Sequence, residues 1–81
     1  MTTKTVFEVY WETRTNQGTR AYSRTFAHEI AAVPFFATKK NQPATVRAFV
    51  REIEVSFDDR GRFIEARTAA VLGTHNFVFT L

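Results

Sequence analysis

The stretch Ile53 to Val71, IEVSFDDRGRFIEARTAAV, decides the fold. Ile53, Val55 and Phe57 alternate with Glu54 and Ser56, the period-two signature of a strand with one buried and one wet face. The run stops at Asp58-Asp59-Arg60-Gly61. There short carboxylates can accept from nearby amides, and glycine can take a positive φ without a Cβ clash. Beyond it Arg62, Ile64 and Ala66 alternate with Phe63, Glu65 and Arg67. The pattern predicts an antiparallel hairpin that pairs 53–57 with 62–71.

Immediately before the hairpin, Ala44–Glu52 (ATVRAFVRE) admits two readings. In the helical one, Val46, Phe49, Val50 and Ile53 fall at helical spacing, with Pro43 in a first turn capped by Asn41. In the extended one, Val46, Ala48 and Val50 share a face, and a bulge near Arg51-Glu52 shifts the phase before Ile53. The β-branched residues at 45, 46 and 50, running straight into the strand, favour the extended form. That form places Arg47 and Arg51 on the same sheet face. After the hairpin, Leu72–Asn76 predicts a short turn. Phe77, Phe79 and Leu81 then alternate with Val78 and Thr80, a last strand apolar enough to need a partner.

In the N-terminal half, Lys4–Arg14 places Phe7, Val9 and Trp11 on one strand face, the core candidate, with Val6, Glu8, Tyr10 and Glu12 on the other. A loop of about five residues, Thr15–Thr19, leads to a second extended run, Arg20–Phe26. Tyr10 and Tyr22 become cross-strand neighbours in one possible register. Thr25 or Ser23 is placed to cap a helix over 27–39, with Glu29 in its first turn and Lys39 and Lys40 at its end. Phe26, Ile30, Val33 and Ala37 draw its apolar stripe. Pro34 lacks an amide hydrogen and crowds the carbonyl of Ile30, so the helix is expected to kink or break there. At least one of Phe35 and Phe36 is expected to insert beneath it. The order predicts an α+β fold: an antiparallel sheet of four to five strands with one kinked or broken helix packed on one face.

The chain of 81 residues is expected to form one domain, 1–81. For that size the area relation leaves roughly 5,000 Å² exposed. There is no cysteine to staple so small a core. The aromatic share of 15% supplies large area per ordered residue instead. No run of apolar residues is long enough for a membrane span, and the first residues lack the pattern of a secretion signal, which points to a cytoplasmic protein with no membrane partner.

No catalytic constellation is legible, and the sequence points away from an enzyme. Glu29 is adjacent to His28 rather than a turn away, and His75 lies in the expected turn. Asp58 and Asp59 lack the donor spacing of a calcium loop and read as turn formers. Gly18, Gly61 and Gly73 cannot write a phosphate-binding fingerprint. No metal and no cofactor is expected. The paired aromatics of the RNA recognition module, a KH-type glycine loop and zinc-finger spacing are all missing, and the first element reads as strand where a double-stranded-RNA-binding domain has a helix.

The net charge is +3, and arginine outnumbers lysine, which suits oriented contacts with carboxylate or phosphate. Arg47, Arg51, Arg60 and Arg62, with Tyr10 and Tyr22, are the candidate partner-binding residues. Glu52, Glu54, Asp58, Asp59 and Glu65 are interspersed with those arginines. Such mixed charge favours a larger protein target, as for an accessory or inhibitory protein covering a site. An arginine-rich hairpin gripping DNA or RNA is the alternative reading, and a structural self-assembling role is the third. The supply of apolar side chains on both faces, among them Phe35, Phe36, Phe77 and Phe79, leads to the expectation of a homodimer.

Overall fold

The computed structural model describes residues 1–78. Two strands, β1 (Thr2–Thr15) and β2 (Gly18–Phe26), are followed by a helix, α1 (Glu29–Lys40), and two more strands, β3 (Thr45–Phe57) and β4 (Phe63–His75). All pairings are antiparallel and the sheet order is β2-β1-β3-β4. The fold is therefore α+β, with four strands and one helix among the described residues. Of the 44–52 segment all but Ala44, which lies in a turn, is strand, and the hairpin read from 53–71 is present. β2 and β3 run the same way with β1 between them, so their connection must cross the sheet, and α1 makes that crossing.

Two turns fix the hairpins. Asn16 and Gln17 alone span the β1–β2 turn, a tighter connection than the expected five-residue loop, because Gly18 takes φ 123°, a region that disfavours any Cβ. At the β3–β4 tip Asp58 organises the chain. Its Oδ1 accepts from the Arg60 and Arg62 amides at 2.9 and 2.8 Å, its own amide donates to the Arg62 carbonyl, and Gly61 supplies φ 78°.

The core lies between α1 and one face of the sheet: Phe7 and Val9 of β1, Ala48 and Val50 of β3, and Ala32 and Phe36 of α1, flanked by Trp11, Phe26 and Phe35. Burying each of the larger side chains stabilises by about 1.5–3 kcal/mol. At 1.5 Å per residue the helix spans about 18 Å, whereas strands of this length reach about 43 Å at 3.3 Å per residue. The helix is thus much shorter than the long strands it packs on. The molecule measures 46 × 27 × 21 Å, and 5677 Å² is exposed, more than the size relation anticipates.

The register changes several expectations. β1 and β3 stay in phase from Thr2/Phe57 to Glu12/Arg47, so β3 needs no bulge near Arg51-Glu52. The irregularities fall in its pairing with β4, at Val50/Arg51, Glu52/Ile53 and Ser56/Phe57. Ala48 and Val50 face the helix, while Phe49 and Ile53 are buried on the opposite face. The apparent phase change in the sequence is a change in which face is covered. Leu72–His75 continues β4 and makes no turn there; Asn76, at φ 52°, ends it. Phe77 and Val78 are not strand, and the rest of the expected last strand, 79–81, lies outside the described residues.

The helix is rotated from the expected stripe. Ala32 and Phe36 are inward, while Ile30 is 85% and Val33 40% exposed. His28, rather than Ser23 or Thr25, is the N-cap residue, and it caps through its carbonyl, which accepts from the Ala31 and Ala32 amides. Helical structure continues through Pro34. The proline is exposed, so the Ile30 carbonyl it leaves unbonded can meet water. Glu29 in the first turn and Lys39 and Lys40 in the last suit the helix dipole.

Candidate functional site

Strand alternation assigns every polar side chain of β1 and β3 to a face. Opposite the helix, Glu8 sits across from Arg51, Tyr10 from Phe49 and Glu12 from Arg47. Arg51 Nε donates to Glu8 Oε1 at 2.7 Å, and its Nη1 to Thr68 Oγ1 at 2.7 Å. Arg47 Nε donates to Glu12 Oε2, which also accepts from the Tyr10 hydroxyl at 2.5 Å. Tyr10 stacks on Phe49 at 5.0 Å, Phe77 sits edge-on to Tyr10 at 6.2 Å, and the guanidinium groups of Arg47 and Arg51 lie over Phe77 and Phe49. The result is a small aromatic cluster roofed by ion pairs.

Glu12 is buried yet ionised. The hydrogen bond from Tyr10, assisted by Arg47 against the opposing effect of burial, holds its carboxyl below the usual value of 4.5. The same hydrogen bond raises the Tyr10 phenol above 10.0, with burial and the Glu12 charge adding to it. The two hydrogen bonds satisfy a buried carboxylate and tie β1 to β3 on this face of the sheet. Among the described residues no cluster of three His, Asp or Glu side chains could hold a metal ion, and no helix is long and apolar enough to cross a membrane.

The six residues singled out in the sequence do not form one surface. Arg47 and Arg51 share the face opposite the helix, each in an ion pair. Arg62 pairs with Asp58 at 3.3 Å at the distant hairpin tip, beside exposed Arg60. Tyr10 lies opposite Ser23 and Tyr22 opposite Trp11, so the two tyrosines are on opposite faces and are not cross-strand neighbours.

Tyr22 belongs to a second surface, on the helix side of β2, which sequence reasoning missed. Its ring stacks on Trp11 at 5.4 Å, and Trp11 meets Phe35 edge-on at 5.3 Å. The Lys39 ammonium lies 4.9 Å from the Trp11 ring centre, and the Arg24 guanidinium lies over Phe26 and Phe35. Arg20, two residues before Tyr22, shares this face of β2. Among the described residues, Arg20, Arg24, Lys39 and Lys40 form no ion pair with a carboxylate. The signal was in the sequence: from 13 to 51, cations at 14, 20, 24, 39, 40, 47 and 51 face Glu29 as the lone acid.

Compared with protein-family models, curated proteins and solved structures, the chain matches none.

Proposed function

We propose that this chain is a non-enzymatic binding protein that covers a site on a larger protein target. The observation that carries the reading is the aliphatic outer surface of α1. Ile30 is 85% and Val33 40% exposed, Pro34 is exposed between the following turns, and the stripe runs on toward Lys40. Exposed aliphatic area beside cations suits the centre and rim of a protein interface. At Arg47, Arg51 and Arg62 a carboxylate stands beside each guanidinium, which interrupts the positive stripe that a phosphate backbone calls for at those positions.

The test uses the chain immobilised, with a native lysate before and after nuclease treatment, and compares it with an Ile30→Glu, Val33→Glu variant whose fold is checked by circular dichroism. A protein retained by the parent chain and lost from the variant is the expected result. Retention that disappears with nuclease, or that ignores the variant, overturns the reading. Self-association is a separate proposal: a twofold dimer that packs the exposed side chains of Phe63 and Ile64, 63% and 49% exposed, against their copies without pairing the β4 edge. Phe36, counted toward a dimer surface in the sequence, is in the core. A species of 9.3 kDa in sedimentation at high micromolar concentration would refute the dimer.

A further inference from the structure

Resting on the protein-binding reading, we infer that the free edge of β2 receives an acidic, extended segment of the partner as a fifth strand. Among the described residues β2 ends the sheet, and its nine residues pair with β1 in one unbroken register. Every second residue of such a strand turns its N–H and C=O outward, toward an absent neighbour. The other edge, β4, is interrupted by three register shifts, a common device for spoiling edge pairing. β2 has no such interruption and no proline.

Charge identifies the occupant. On the helix side, β2 presents Arg20, Tyr22 and Arg24, with Lys39 behind them; on the other side it presents only Thr19, Ala21, Ser23 and Thr25. A second copy of β2 paired antiparallel about Tyr22 would set Arg20 against Arg24 twice, a repulsive arrangement. An incoming strand with carboxylates on alternate residues would meet both arginines, and its other face would lie over small side chains that leave room for β-branched residues. Single-stranded nucleic acid fits less well. The Trp11 ring has Tyr22 stacked on it and Lys39 over it, which leaves Tyr22 as the ring with an open face, whereas such strands are held by successive stacked bases.

The experiment titrates the full chain with three fluorescein-labelled probes: an eight-residue peptide of alternating glutamate and valine, its lysine–valine counterpart, and an oligothymidylate of eight nucleotides. Binding is read by anisotropy at two salt concentrations, and by NMR amide exchange of β2. The acidic peptide should bind best, protect the β2 amides that point away from β1, and weaken about tenfold in an Arg20→Glu, Arg24→Glu variant, as expected for two cross-strand pairs reversed in sign. Equal binding of the acidic and lysine peptides, protection elsewhere than β2, or tighter arginine-dependent binding of the oligonucleotide overturns the inference. Protection of β2 that appears with protein concentration alone also overturns it, in favour of a second copy. The Ile30→Glu, Val33→Glu variant separates the two readings. Capture lost there but kept in the double-arginine variant, with no peptide binding, leaves the helix surface standing and removes the edge.

Discussion

The seating of α1 can be tested at one contact between Phe36 and Gly73. A Cβ on Gly73 would lie 3.0 Å from Phe36 Cε2, 3.4 Å from Phe36 Cζ and 3.4 Å from Val50 Cγ1. Ordinary carbon contacts begin near 3.5 Å, so the ring would have to move by about half an ångström. Phe36 is 6% and Val50 1% exposed, with Val9 and Ala32 in the same cluster, and little slack is available. Overpacking of this kind costs about 1–2 kcal/mol. Gly73 lies outside the positive-φ region, so alanine also gains about 0.4–1 kcal/mol by restricting the unfolded chain. Gly73→Ala should therefore destabilise by about 0.5–1 kcal/mol. Phe36→Leu alone should cost about 1 kcal/mol and free the space at the ring edge. In that background Gly73→Ala should become stabilising by about 0.5 kcal/mol, a coupling of about 1–1.5 kcal/mol, typical of touching residues. Leucine is preferable to alanine here, because losing about 3–5 kcal/mol would remove much of the total of about 4–12 kcal/mol expected for this size. Urea unfolding of all four proteins, followed by Trp11 fluorescence and circular dichroism, measures the cycle. If Gly73→Ala has the same effect in both backgrounds to within about 0.3 kcal/mol, the ring is not beneath Gly73 and the orientation of the helix is wrong.

The orientation also predicts that Ile30→Glu changes stability by less than about 0.5 kcal/mol, since the side chain is 85% exposed; thermal unfolding would expose a larger loss. Gly61→Ala should cost about 1–2 kcal/mol from backbone strain alone, because φ is 78° and no atom lies within 4 Å of the added Cβ. Gly61→Asn should recover part of that in the same melts. For Glu12, a folded pKa below 4.5 means stabilisation that is present above the unfolded value and lost as pH falls through the folded one. The stability gap between the parent chain and Glu12→Gln should accordingly narrow in acid, and a constant gap in urea titrations across that range would refute the network. The Tyr10 phenol is raised above 10.0, so its contribution is present below that value and fades as pH rises through the folded pKa; Tyr10→Phe should flatten this alkaline loss.

The strands were legible because each carries its own alternation: Phe7-Val9-Trp11 and Ile53-Val55-Phe57 are local patterns. The face each pattern would bury was not. Ile53 reads as core and is buried, but on the side away from the helix, because it falls out of phase with Ala48 and Val50, which face α1. The helix failed for a related reason. Ile30 and Val33 are larger than Ala32, so hydrophobicity alone selects the wrong stripe. The sheet selects the other one, because small Ala32 lets the backbone approach closely enough for Phe36 to reach Val50 and Gly73. Gly18 was recognised as a turn residue, but only its φ reveals that two residues suffice between β1 and β2.

The candidate site was less legible, and the register explains why. Arg47, Arg51 and Arg62 drew attention because they crowd a short stretch, yet crowding in sequence says nothing about the carboxylate across the strand. Antiparallel pairing sets Glu12 against Arg47 and Glu8 against Arg51, residues far apart in the chain, and an arginine so paired has much of its field cancelled before a partner arrives. Arg20 and Arg24 are sparser in sequence, but their cross-strand neighbours on β1 are Thr13 and Val9, and among the described residues no strand lies on their outer side. Availability for recognition depends on what lies one strand away. At the β2 edge the neighbours on β1 are uncharged, so Arg20 and Arg24 keep fields that no cross-strand carboxylate cancels, even with the Arg24 guanidinium resting over the Phe26 and Phe35 rings.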